Sequence, residues 1–260
     1  MPASPFPAVL LETAGLCKNF RGLKALRDHA LRVAPGEILG VIGPNGSGKS
    51  TLFNVITGFS PPSAGRVCLN GIEVTGWRPD AIVRQGIART FQGSRLFKAL
   101  TAAENIEAAA QLALRPGLFS TLLRPPGYRR RTDEIVAIGQ QMLDLVGLGK
   151  WGDRRAGDLP YGAQRRLEIA RAMATKPKLL MLDEPAAGLN THETAELMTL
   201  IRQLRELYGV AVIIVEHDMD LIGTLCERIQ VLAQGTVIGE GSFAAIQDNI
   251  HVREAYLGHD

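Results

Sequence analysis

Apolar residues along this 260-residue chain fall into two rhythms. Short runs rich in β-branched residues at 37–42, 66–69, 179–182, 210–215, 229–233 and 236–239 predict strands. Several are continuously apolar, as strands buried on both faces of a parallel sheet are. Helical spacing follows the first run at 50–57 and is strong at 163–175 and 193–207. Strand and helix in alternation predict a parallel α/β sheet. Between 93 and 158 the rhythm turns helix-rich, with segments at 102–114 and 133–146 around a Pro/Gly/Arg stretch, which predicts an α-helical insert in the α/β core. The longest unbroken aliphatic run, 210–215, is far short of the roughly 18 to 20 residues that span a bilayer.

Composition excludes more than it identifies. The length suits one large domain, and 21% charged with 5% aromatic residues argues against both a disordered chain and an aromatic nucleic-acid platform. Net charge is +3, yet five arginines and no acid fall between Arg115 and Arg131, so the remainder carries −2 and makes a poor phosphate-backbone binder. That arginine patch reads first as a solvated loop. The N-terminus has no Lys or Arg ahead of its apolar patch, unlike a secretion signal. Three scattered cysteines, Cys17, Cys68 and Cys226, fit a reducing compartment, so the expected location is cytoplasmic. Glycine is the outlier, with 28 where average usage gives about 18.

The glycines point to the chemistry. GPNGSGKS at 43–50 matches GxxxxGK[ST] between a predicted strand and a predicted helix. Glycines let successive backbone N–H groups curl around phosphates, and the helix adds its positive N-terminal end. Lys49 is placed to reach the β and γ phosphates, and the Ser50 hydroxyl to ligate Mg²⁺. The phosphate cradle comprises Gly43, Pro44, Asn45, Gly46, Ser47, Gly48, Lys49, Ser50 and Thr51. The run LLMLDE at 179–184 delivers two carboxylates at the end of a strand: Asp183 to hold Mg²⁺ through water, and Glu184 to polarise an attacking water as general base. A third strand, VIIVEH at 212–217, ends in His217. Alone it reads as a structural histidine; behind two phosphate-handling motifs it is placed for the γ-phosphate or the attacking water.

These runs, with TFQ at 90–92, LPYGAQRR at 159–166 and AGLN at 187–190, resemble in order and spacing the motifs of ATP-binding cassette (ABC) ATPases. The resemblance runs from about Leu11 to the end. It implies an α/β P-loop NTPase (RecA-like) core with a parallel sheet, an N-terminal antiparallel β portion and an α-helical subdomain insert. The implied domains are 1–92 with 159–260 for the ATP-binding core, and 93–158 for the insert, with the signature at its end. Gln92 is expected to complete the Mg²⁺ shell, Phe20 to stack on adenine, and Gly162 to present its backbone to the ATP of a second subunit paired head to tail. The family's signature is LSGGQ; Pro160 here has neither hydroxyl nor N–H, which leaves the Gly162 backbone and the N-terminus of a helix from about 163. An asymmetric pair of ATP sites in a heterodimer follows, with a homodimer open to the isolated chain. Asn190 stands where the D-loop pattern has Asp.

Finer resemblance, in the 117–130 insertion, RRLEIAR at 165–171, PAAGLN at 185–190, EHDM at 216–219 and AYLG at 255–258, is to the longer ATPase subunit of branched-chain amino acid importers. It implies ATP and Mg²⁺ as cofactors. The implied partners are a second ABC ATPase, two membrane permease subunits and a periplasmic or lipid-anchored binding protein, with no nucleic acid. The implied place is the cytoplasmic face of the inner membrane, peripheral and soluble when isolated. Urea or short-amide importers and lipopolysaccharide-extracting transporters are the alternatives, and the long insertion speaks against the second. The arginine patch would dock a permease loop or anionic headgroups. Leu96 and Phe97, after the Gln92 loop, would either receive a permease helix or fill core.

Overall fold

The computed structural model describes residues 9–114 and 126–257, without the side chains of 113–131 and 257. The side chains of the arginine patch and the last residue of the AYLG run therefore lie outside the description, while the backbone of Arg129 to Arg131 is helical rather than loop. A six-stranded sheet forms the centre. It contains β3 (Ile38–Ile42), β6 (Ile87–Arg89), β7 (Leu179–Asp183), β8 (Ala211–Val215), β9 (Arg228–Ala233) and β10 (Thr236–Gly241), in the order β10-β9-β3-β8-β7-β6. All neighbours pair in parallel except β10, which turns back antiparallel on β9.

Strand alternation explains the unbroken apolar runs. In β7, Leu179 and Met181 enter one hydrophobic core while Leu180 and Leu182 enter the other; in β8, Ile213 and Val215 oppose Val212 and Ile214 in the same way. Each strand is buried on both faces, so no polar phase is left to read. One core closes against α1 (Lys49–Ile56), α2 (Pro79–Gln85) and a four-stranded antiparallel sheet. That sheet has the order β2-β1-β4-β5 and is built from β1 (Leu11–Phe20), β2 (Leu23–Val33), β4 (Ala64–Leu69) and β5 (Ile72–Glu73). The run at 66–69 thus belongs to an antiparallel sheet and not to the central parallel one. Periodicity does not predict β1 and β2, because the register slips between Thr13 and Leu16 and again toward Asn19, which breaks the two-residue alternation.

The other core closes against α5 (Tyr161–Met173), α6 (Thr191–Tyr208) and α7 (Met219–Leu225), and continues into α3 (Ala102–Leu114) and α4 (Pro126–Leu145). Helix α3 opens on a capping box in which Thr101 Oγ1 accepts from Glu104 N and Glu104 Oε2 accepts from Thr101 N. Leu96 is buried in this core while Phe97 is exposed, so the two neighbours divide between the two readings of them. Two boundaries move. Helix α5 begins at Tyr161 rather than near 163, because Pro160 occupies the extended cap position (φ −53°, ψ 151°) and needs no N–H there. Helix α6 begins at Thr191, two residues early, under an Asn190 cap. The chain closes with α8 (Phe243–Gln247) and α9 (Ile250–Leu257) against β10. Among the described residues, no helix is long and apolar enough to cross a membrane.

Candidate functional site

Parallel pairing puts the C-terminal ends of β3, β7 and β8 on one edge of the sheet, with Asp183 level with Val215 and Val41 level with Val215. The three motifs emerge from these ends, beside the strand where the order reverses, as ligand sites in open α/β sheets do. The residues that follow line one cleft of about 630 Å³: Phe20, Asn45 through Thr51, Gln92, Glu184 and His217. Gly43, Pro44, Asp183 and Gly162 do not line it.

Backbone geometry dictates the loop. A Cβ on Gly43 (φ 149°) would stand 2.0 Å from the Leu232 carbonyl oxygen, and one on Gly48 (φ 112°) 2.6 Å from that of Ala25. Glycine is the residue that fits both positions. Gly48 caps α1 with no side-chain hydrogen bond, and no acid occupies the first turn, so the leading amides keep free donors. The Lys49 ammonium is buried and folded back on the loop, donating to the carbonyls of Gly43 (2.6 Å) and Pro44 (3.0 Å). Burial lowers its pKa, and the Glu184 and Asp183 carboxylates pull it back up.

Glu184 is held on three sides. Its N–H donates to the Val215 carbonyl (2.9 Å), Gln92 Nε2 donates to Oε2 (2.8 Å), and His217 Nε2 lies 3.0 Å from Oε1. Its φ of 48° is a left-handed conformation costing a residue other than glycine about 1–3 kcal/mol, strain of the kind found at functional sites. Gln92 Nε2 is thereby committed, leaving its Oε1 as acceptor. Asp183 is committed through Oδ2 to Arg89 (2.7 Å).

Phe20 is exposed at the end of β1, with Lys18 Nζ 4.8 Å from the ring centre; it is not a core residue. Gly162 sits in the first turn of α5 against Glu193, whose Oε1 would lie 2.5 Å from an added Cβ. Tyr161 beside it donates its hydroxyl to the Ala187 carbonyl (3.0 Å), joining the signature to the following loop. Helix α5, like α1, begins without a side-chain cap or a first-turn acid.

Two residues without a sequence-derived role organise the site. Glu216 accepts from Ala186 N (2.7 Å) and His217 N (3.2 Å), anchoring the turn after Glu184 beside the histidine. Burial raises its carboxyl pKa, partly offset by those two amides. Arg89 pairs Asp183 in the interior; its signal in the sequence is a charged residue ending an apolar strand run just before Thr90. Lys24 and Arg27 of β2 and Gln234 of the turn between β9 and β10 also line the cleft, and no motif marks them.

A family model for ABC transporters matches residues 26–187. The chain is 45% identical over 249 residues to the high-affinity branched-chain amino acid transport ATP-binding protein LivG of Escherichia coli K12, covering 96% of this chain and 98% of that one. It is 44% identical, with the same coverage, to the corresponding protein BraF of Pseudomonas aeruginosa. A crystal structure of the ADP conformation of MJ1267, an ATP-binding cassette of an ABC transporter, superposes with a TM-score of 0.84 at 31% identity, covering 96% of this chain and 99% of that one. The cleft at the strand ends, the glycine loop that opens it and these likenesses agree: the chain belongs to the ABC transporter family.

Proposed function

We propose that this chain is the ATP-hydrolysing subunit of an importer of branched-chain amino acids, acting through separate permeases. The observation that carries hydrolysis is Glu184, whose two carboxylate oxygens are engaged by Gln92 and His217 at the mouth of the phosphate loop. The amino acid class rests on 45% identity across nearly all of both chains to LivG.

The roles follow from the atoms. The free amides of the 43–51 loop and of the first turn of α1 bind the phosphate chain, and Lys49 exchanges its two backbone carbonyls for phosphate oxygens. Phe20 offers its face to the adenine. Glu184 accepts a proton from the attacking water, and His217 holds Glu184 and the water in line. Among the described residues, no group of three or more His, Cys, Asp or Glu is placed to hold a metal. That suits Mg²⁺, which takes few protein oxygens and completes its shell with phosphates and water. Ser50 Oγ, Gln92 Oε1 and Asp183 would hold it, and it would supply charge neutralisation to the phosphates.

Gly162 lies outside the cleft with α5 uncapped. A second ATPase subunit, packed head to tail, would bring its own signature over this cleft while Gly162 served the partner's. Residues 93–158 form the helical insert that carries the closure to the permeases, with exposed Phe97 on its approach. Pro160 contributes no hydroxyl, so the site this signature completes is the weaker of the two. The complex acts at the cytoplasmic face of the membrane with a substrate-binding protein on the far side.

The test is uptake into proteoliposomes holding this chain, the partner ATPase, both permeases and binding protein. Leucine uptake driven by internal ATP, abolished by Glu184→Gln with nucleotide binding retained, supports the proposal. Urea uptake without leucine uptake would reassign the solute. Introducing Glu→Gln into each ATPase in turn, with equal residual turnover, would overturn the asymmetry.

A further inference from the structure

Among the described residues, Arg89 makes the most connections of any charged side chain in the interior. Its side chain is 6% exposed. Nη2 donates to Asp183 Oδ2 at 2.7 Å, while Nη1 donates to Asn54 Oδ1 at 2.7 Å and Thr57 Oγ1 at 3.3 Å. The guanidinium also lies over the rings of Phe53 (5.3 Å) and Phe91 (4.8 Å). One planar cation therefore joins helix α1, the end of β7 and the approach to Gln92.

The position of Asn54 gives this bracket meaning. Asn54 follows Ser50 by four residues on α1, so the two side chains lie on one face of the helix, one turn apart. Asn54, Arg89 and Asp183 thus span the gap between α1 and β7 one turn below the place where Ser50 and Asp183 would meet a divalent ion. Arg89 takes Asp183 Oδ2, and Oδ1 has no hydrogen-bond partner among the described residues. The carboxylate is fixed in orientation with one oxygen left over. A guanidinium's rigid fork sets such a spacing; an ammonium, a point charge on a flexible stem, does not.

We propose that Arg89 is a positioning residue that presets the gap between Ser50 and Asp183, and so selects Mg²⁺ over Ca²⁺ as the ion that accompanies the nucleotide. Mg²⁺ demands a tight, near-octahedral shell at about 2.0–2.1 Å, whereas Ca²⁺ accepts looser geometry at about 2.3–2.6 Å. A gap held rigid before the ligand arrives favours the first. The inference rests on the reading of Ser50 and Asp183 as ion-holding residues.

The test is calorimetric titration of the full chain with AMP-PNP in EDTA, in Mg²⁺ and in Ca²⁺. For Arg89→Lys we expect affinity in EDTA within about twofold of the parent, a gain on adding Mg²⁺ smaller by about tenfold, and a Mg²⁺ to Ca²⁺ preference falling toward one, in line with the effect of removing partners that orient metal ligands. Asn54→Ala leaves no charge unpaired and shifts the same ratio less; it decides the question on the same criteria should Arg89→Lys fail to fold. An unchanged Mg²⁺ gain and ion preference would overturn the role of Arg89. Asp183→Asn separates the two levels: loss of the Mg²⁺ gain there with none in Arg89→Lys leaves the ion site standing without the bracket. Retention of the gain in Asp183→Asn removes the ion reading and the bracket together.

Discussion

Helix α6 begins with a complete capping box, in which Asn190 Oδ1 accepts from Glu193 N and Glu193 Oε2 accepts from Asn190 N, both at 3.0 Å. Helix α1 begins with glycine and backbone alone. Both starts carry the same unmet N–H groups. The first satisfies them within the chain; the second leaves them for a ligand, and Lys49 waits on its own loop carbonyls instead of on an acid. Helices α7 and α8 follow α6, with Asp218 and Ser242 as caps, whereas α5 follows α1. A helix start that forgoes an internal cap gives up about 1 kcal/mol. Among the described helix starts, the two that do so after a glycine or a proline carry the phosphate loop and the signature.

The largest effect should come from giving the bare start a side chain. Gly48→Ala meets both the left-handed backbone and the Ala25 carbonyl at 2.6 Å, so it should cost roughly 2–4 kcal/mol of stability and nucleotide binding with it. Thermal denaturation and calorimetry read the two. Thr51→Asp puts a negative charge in the first turn of α1. It should stabilise the nucleotide-free protein by about 0.3–1 kcal/mol while weakening ATP binding by about tenfold or more, because the acid and the phosphates compete for the same donors. Changes of the same sign in both would break the comparison. Asn190→Ala should do the reverse, costing about 1 kcal/mol in denaturant unfolding with nucleotide affinity of the isolated chain unchanged.

The smallest effect lies away from both starts. His29 is fully buried between Thr13 and Gln230, and burial lowers its pKa from the ordinary 6.5 despite the Gln230 bond and the Glu240 charge. The folded state keeps it neutral while the unfolded chain takes up a proton. Stability is thus intact above about 6.5 and falls as pH drops below that value, by at most about 1.4 kcal/mol per pH unit. His29→Gln should flatten that slope in unfolding curves taken between pH 7 and 5 without changing the contrast between α1 and α6.

Local chemistry was readable where a residue's role depends on its neighbours in the chain. The phosphate loop and the acids ending β7 are of this kind: each is a short spacing whose physics is complete within a few residues. The strands β1 and β2 were not readable from periodicity, since bulges shift their register and the alternation fails. The division of Leu96 from Phe97 was open for a similar reason: adjacent apolar residues give no phase until the packed core takes up one of them.

Order and identity of motifs thus followed from the chain alone, because parallel strands must deliver their C-terminal residues to one edge and glycine must stand where a Cβ cannot. The partners did not. Glu184 meets Gln92 across 92 positions and His217 across 33, and Arg89 meets Asp183 across 94. No propensity or spacing encodes such pairs. They exist because β6, β7 and β8 lie side by side in a sheet whose order is not the order of the chain, and close packing then leaves each side chain one place to go.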